Sequence, residues 1–137
     1  MLRQIFVNLP IRDMARSQAF FKALGLSFNP RFTNEQGACM VVSDKIFVML
    51  LVEPFFQGFT KKAIADAHKT TEVLICLSCA SRDEVDAQVK KALAAGGTSP
   101  NPPQDHGFMY GDSFLDLDGH VWEVMWMDPA AVVQHQS

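Results

Sequence analysis

One succession of patterns is used twice in this chain, and that repetition constrains its fold more than any other feature. Arg12-Asp13 recurs as Arg82-Asp83, seventy positions on, and Lys22-Ala23-Leu24 recurs as Lys91-Ala92-Leu93, sixty-nine on. Each match is short, but both fall at the same place in the same order of predicted elements, which favours an internal duplication.

In the first copy, Ile5, Val7 and Leu9 alternate with Gln4, Phe6 and Asn8, a period of two that predicts a strand with one apolar face, closed by Pro10. Asp13 sits where a helix N-cap belongs, and Ala19, Phe20, Ala23 and Leu24 carry helical spacing up to Gly25. A short strand is expected at Phe28, then strands near Ala38–Val42 and Ile46–Val52 around a Ser43-Asp44 turn. In the second copy Val73, Ile75 and Leu77 form the alternating strand. Ser81 or Asp83 can cap a helix with Val85, Val89, Ala92 and Leu93 as its stripe, stopped by Gly96-Gly97. After a proline-rich loop (Pro100, Pro102, Pro103), strands are expected near Met109–Asp116 and His120–Met127. The stretch 54–71 reads as the linker, with a short helix around Lys61–His68, and 129–137 as a tail.

The expected architecture is therefore α+β: one domain over 1–137, made of two tandem βαβββ units at about 1–58 and 71–128. Their mixed sheet would form a cup, with the helices outside. The period-two count places Gln4, Phe6 and Asn8; Phe47, Met49 and Leu51; Leu74, Cys76 and Ser78; and Val121, Glu123 and Met125 on the inner face. Such a cup suits a small-molecule ligand.

Composition excludes several alternatives. A net charge of -3 with no basic patch argues against nucleic acid as a partner. No run of eighteen apolar residues is present to span a membrane, and Met1-Leu2-Arg3-Gln4 leads into a strand pattern unlike a signal peptide. Three cysteines (Cys39, Cys76, Cys79) cannot all pair within one chain, so a reducing, cytoplasmic setting is expected.

Several segments carry a family likeness: Leu9-Pro10-Ile11-Arg12-Asp13, Arg16-Ser17, Phe20-Phe21, Leu24-Gly25-Leu26, Ala95-Gly96-Gly97 and, above all, Phe114-Leu115-Asp116-Leu117-Asp118-Gly119-His120-Val121-Trp122-Glu123. Through them the chain resembles the vicinal oxygen chelate superfamily of glyoxalases, bleomycin-resistance proteins and extradiol dioxygenases, and is similar to bacterial predicted lactoylglutathione lyases. The resemblance runs from about Arg3 to Asp128. It implies the two-unit fold and a homodimer, but no single reaction, because this scaffold hosts several. Metal-dependent members hold a divalent ion with His and Glu side chains on four cup-lining strands. Carried over, those positions fall on Phe6, Met49, Leu74 and Glu123, and only the last can ligate a hard or borderline cation. No metal and no other cofactor is expected.

Glu123 is the candidate catalytic residue: between Val121 and Met125 it would sit in partly apolar surroundings, a setting that suits a general acid or base. The alternative is a carboxylate satisfied by a polar neighbour or water. Phe6, Asn8, Met49, Leu51, Leu74, Cys76, His106, Tyr110 and Met125 are the candidate ligand-binding residues. Cys76-Leu77-Ser78-Cys79 has the C-x-x-C spacing, but within a strand the two sulfurs face apart, so it is read as structural. Of the histidines, His106 alone is placed to matter, in a loop before a strand; an exposed bystander is the competing reading. His68 is assigned to the linker surface, His120 to the face opposite Glu123, and His135 to the tail. Pro54-Phe55-Phe56-Gln57-Gly58-Phe59 would either cover the cup's mouth or pack against a second chain. The sequence thus favours a metal-free, glyoxalase/bleomycin-resistance-like protein binding a small, partly apolar molecule. The alternative is a lyase or dioxygenase-type enzyme using Glu123 as base or metal ligand, and a purely structural module is the third possibility.

Overall fold

The computed structural model describes residues 3–131, so the expectations for His135 and most of the tail lie outside the described residues. The chain divides into two compact units between Asp66 and Ala67, within the stretch expected as the linker.

The first unit contains β1 (Ile5–Ile11), α1 (Met14–Ala23), β2 (Ser27–Phe28), β3 (Gly37–Val41), β4 (Ile46–Val52) and the short α2 (Glu53–Phe56). Its sheet has the order β1-β4-β3-β2, with β1 and β4 parallel and the other pairs antiparallel. Asp13 caps α1 as expected, its side chain accepting from the Arg16 N–H at 3.1 Å. Phe20, Phe21 and Leu24 of this segment are buried with Leu9, Ile11, Met40, Val48 and Leu50 of the sheet. Each such side chain contributes about 1.5–3 kcal/mol of transfer free energy. Ile5 is exposed, so the apolar face of β1 is buried only towards its C-terminal end.

Two expectations for this unit need correction. Pro10 does not close β1, which runs on to Ile11. β1 is at the edge of its sheet, where a residue without an N–H is tolerated. No helix forms over Lys61–His68; the helical turn lies earlier, at Glu53–Phe56, with Pro54 in its first turn where a missing N–H costs nothing.

The second unit contains β5 (Leu74–Ser78), α3 (Arg82–Ala94), β6 (Gln104–Asp105), β7 (Met109–Leu115) and β8 (Val121–Met127). The order β5-β8-β7-β6 and the parallel β5–β8 pair repeat the plan of the first unit. Of the two cap candidates Ser81 takes the role, accepting from the Glu84 N–H at 3.1 Å, while Glu84 reaches back to the Ala80 N–H at 2.9 Å. Val85, Val89 and Ala92 are buried beside Phe114, Trp122 and Val124, whereas Leu93 lies outside this stripe and is exposed. The two-residue β6 was not foreseen: Gln104 and Asp105 pair with Gly111 and Tyr110 inside what reads as a proline-rich loop. Among the described residues no helix is long and apolar enough to cross a membrane.

The turn between β7 and β8 is built on Asp116. Its Oδ1 accepts from the backbone N–H groups of Asp118 (2.9 Å) and His120 (3.0 Å), and its Oδ2 from the Trp122 indole at 2.9 Å. Burial pushes the Asp116 carboxyl up, opposed by the His120 charge and these hydrogen bonds. His120 is buried beside it and serves this turn rather than a ligand. Gly119 completes the turn at φ 88, where a Cβ would lie 2.7 Å from His68 Nδ1 and 2.9 Å from backbone of Ala67 and His68. Only glycine fits there.

Candidate functional site

The face of the second sheet turned away from α3 is set by strand register. Cys76 is opposite Glu123 and Ser78 opposite Met125 across β5–β8. Ser113 is opposite Glu123 and Gly111 opposite Met125 across β7–β8, and Gln104 is opposite Gly111 across β6–β7. Partners across a ladder share a face, so these side chains converge. All of them but Ser78 line a cavity of about 210 Å³, together with Met109 and the Asn101-Pro102 loop. Gly111 helps keep it open, since no side chain fills the space beside Met125.

Glu123 lies at the centre of this face, half-buried. Among the described residues its carboxylate has no hydrogen-bonding or ion-pair partner. Burial, and then the charge of Glu123, push the Cys76 thiol up, so it stays protonated beside the carboxylate. Cys79, just past the end of β5, is pushed up by burial and by Glu84; both thiols are free.

Of the other expected site residues, Met125 and Cys76 line this cavity. Phe6, Asn8, Met49 and Leu51 belong to the first unit. There Phe6 stacks on Phe47 at 4.9 Å, Asn8 is opposite Met49 and its Nδ2 donates to the Phe6 carbonyl at 3.4 Å. Leu51 is buried over Gly37, its Cδ2 3.0 Å from where a Cβ would stand. Leu74 is exposed and opposite Val121, so Cys76 rather than Leu74 stands across from Glu123.

Two assignments fail on geometry. Tyr110 is opposite Trp126 on the helix-facing side, and its hydroxyl donates to Asp86 Oδ1 of α3 at 2.6 Å. That hydrogen bond, then burial, pushes its phenol up to about 12. His106 is exposed in the turn from β6 to β7, its N–H donating to the Met109 carbonyl, and it is not among the residues lining the cavity.

What the sequence reading missed on the cavity side is β7. Counting back from the Leu117-Asp118-Gly119 turn, in steps of two, assigns Leu115, Ser113, Gly111 and Met109 to the Glu123 face and Tyr110 to the other. The role of Arg82 was also missed. Its guanidinium donates to Asp105 at 2.7 and 2.9 Å and to the Gly107 carbonyl at 2.7 Å, and it lies 5.2 Å from the ring centroids of both Tyr110 and Trp126. This fork holds β6, and with it Gln104, in place. It lowers the Asp105 carboxyl to about 2, chiefly through the hydrogen bond.

Residues 3–43 match the family of bleomycin-resistance-protein-like N-terminal domains. A hypothetical protein from S. aureus superposes with a TM-score of 0.79 at 28% identity, over 92% of this chain and 94% of that one. A glyoxalase/bleomycin resistance protein/dioxygenase family enzyme from Burkholderia phytofirmans gives 0.74 at 18% identity, over 89% and 96%. The fosfomycin resistance protein FosX from Mesorhizobium loti gives 0.70 at 12% identity, over 97% and 98%. The chain has the vicinal oxygen chelate fold. No curated protein matches the sequence.

The divalent ion used by metal-dependent proteins of the vicinal oxygen chelate superfamily does not fit the residues present. Phe6 and Leu74 offer no ligand atom, Met49 offers a soft thioether, and only Glu123 offers oxygen. Directly opposite Glu123 in register are the Ser113 hydroxyl and the Cys76 thiol, which burial keeps protonated. Among the described residues no group of three or more His, Cys, Asp or Glu is placed to hold an ion.

Proposed function

We propose that this protein binds a small, partly apolar molecule on the β5–β8 face of its second unit, without a divalent metal, in the manner of a glyoxalase/bleomycin-resistance-like binding protein. The observation that carries the reading is the cavity of about 210 Å³ with the Glu123 carboxylate and the Cys76 thiol on its sheet face. Glu123 is half-buried and, without a hydrogen-bonding partner among the described residues, faces this cavity. Met109, Met125 and Pro102 supply the apolar wall, and Gln104, Asn101 and Ser113 the orienting polar groups.

A second reading draws on the same carboxylate. Free of a partner, Glu123 is placed to take a proton from a bound substrate, which would make the protein a metal-free lyase or isomerase. A homodimer belongs to the proposal as well: Phe55 and Phe59, in contact at 5.3 Å and 37% and 70% exposed, form an apolar surface that a second chain would cover. Three free cysteines support a reducing, cytoplasmic setting.

The test is elemental analysis after incubation with nickel, zinc, iron and manganese, for the unaltered chain and Glu123→Gln. The proposal expects no stoichiometric metal in either. One ion per chain, lost in Glu123→Gln, would overturn the metal-free reading and make a lyase or dioxygenase assay the next step.

A further inference from the structure

We infer that the molecule held on this face carries a positive charge, on an amine or guanidinium group attached to a small apolar or aromatic body. The inference rests on the binding reading above and narrows it to a ligand class.

The one charged side chain on the cavity face is acidic, Glu123, with no Lys, Arg or His among the lining residues; Asp112 also borders the cavity, but it is opposite Val124, on the helix-facing side. Asp112 is partly satisfied, its Oδ1 accepting from the Ser113 N–H at 2.8 Å, whereas Glu123 has no hydrogen-bonding or ion-pair partner among the described residues. The remaining polar groups, on Asn101, Gln104 and Ser113, are neutral, and the Cys76 thiol is protonated. Arg82, near the same sheet, is engaged by Asp105 and the Gly107 carbonyl, between rings on the helix-facing side.

An N–H-bearing cation therefore gains a charge-assisted hydrogen bond to Glu123, about twice as strong as a neutral one, where water is partly excluded. A neutral donor gains less, and an anion meets a carboxylate with nothing to offset it. The walls set the body of the ligand. Two methionine thioethers and a proline favour an aromatic ring, whose edge sulfur contacts well. An apolar cavity of roughly 150 Å³ is known to admit benzene, so about 210 Å³ takes one ring with a short arm.

The probes are benzylammonium, benzyl alcohol and benzoate, which share one ring and differ in charge. Each is titrated into the chelator-treated full chain and followed by the methyl resonances of Met109 and Met125. Benzylammonium is expected to bind about tenfold more tightly than benzyl alcohol, and benzoate more weakly than either. Glu123→Gln should bring benzylammonium down to the level of the alcohol and leave the alcohol unchanged, and added salt should weaken the cation alone. Gly111→Ala, whose added carbon meets only ordinary contacts at 3.5 and 3.8 Å, should weaken the binding of every probe with the fold intact. If the alcohol or benzoate binds as tightly as the cation, and Gly111→Ala still weakens it, the charge inference is overturned while the binding reading stands. If none of the three binds, both are overturned.

Discussion

The two units share a backbone plan and differ in what that plan presents. In the first, the parallel pair β1–β4 sets Phe6 opposite Phe47 and Asn8 opposite Met49. In the second, β5–β8 sets Cys76 opposite Glu123 and Ser78 opposite Met125. Phe6 and Cys76 are seventy positions apart, the spacing of Arg12 and Arg82, so these are corresponding pairs. One unit offers a ring stack and the other a thiol beside a carboxylate. The helix-facing positions stay apolar in both, Leu9, Val48 and Leu50 in one and Trp122 and Val124 in the other. A duplicated unit must keep the face that packs on its helix; the opposite face is free to change, and there the chemistry diverges.

The sharpest way to break this comparison is through the corresponding pairs Ile5–Ile46 and Ile75–Trp122. Trp122 is fully buried and its indole holds Asp116, so Trp122→Ala should lower unfolding stability by about 3–5 kcal/mol in denaturant titrations. Ile46 is exposed, and Ile46→Ala should lose about 1 kcal/mol or less. Equal losses would mean that the two cores are not divided as described.

Two glycines at positive φ give a smaller contrast. Gly25 has open space where a Cβ would stand, whereas Gly119 has backbone 2.9 Å away. Gly25→Ala should cost about 1–2 kcal/mol from the backbone alone. Gly119→Ala should cost about 3 kcal/mol or more, since the turn must also move.

The single tyrosine of the chain lies in the second unit, so its titration reports on that unit alone. Tyrosinate absorbance should rise with a midpoint at about 12, held up first by the hydrogen bond to Asp86. In Asp86→Asn it should fall back towards the ordinary 10.0. A midpoint already near that value in the unaltered protein would remove Tyr110 from the helix-facing side.

The smallest effect concerns the duplicated arginines. Arg12 lies 3.5 Å from Glu53 and 3.8 Å from Asp66, whereas Arg82 grips Asp105 at 2.7 Å. The folded-state value of Asp105 is lowered from 3.8 to about 2, so its contribution is present above that range and is lost as pH falls through about 2. Amide exchange at Gly107 and His106 should speed up over that window, and at neutral pH in Arg82→Lys, while Arg12→Lys leaves its own neighbourhood unchanged.

Much of this was legible in the sequence. Both long helices, the Asp13 cap, the β4 boundaries and the Cys76–Glu123 face follow from period and punctuation, which are local. What was not legible depends on pairing. Pro10 reads as a stop until β1 is seen at a sheet edge. Tyr110 reads as a cavity residue until its register with Trp126 turns it towards α3. Arg82 reads as a repeat marker until the fold brings Asp105, Tyr110 and Trp126 around it. A period of two gives which residues share a face; it does not say which face is covered.

The most direct test of the central claim is ligand binding in the absence of metal. Chelator-treated protein, isotopically labelled at its methionine methyl groups, is titrated with benzylammonium before and after one equivalent of nickel or manganese is added. The Met109 and Met125 resonances should move in the metal-free protein, move equally after metal is added, and in Glu123→Gln move only as far as benzyl alcohol moves them at the same concentration. Resonances that move only once metal is present would contradict it.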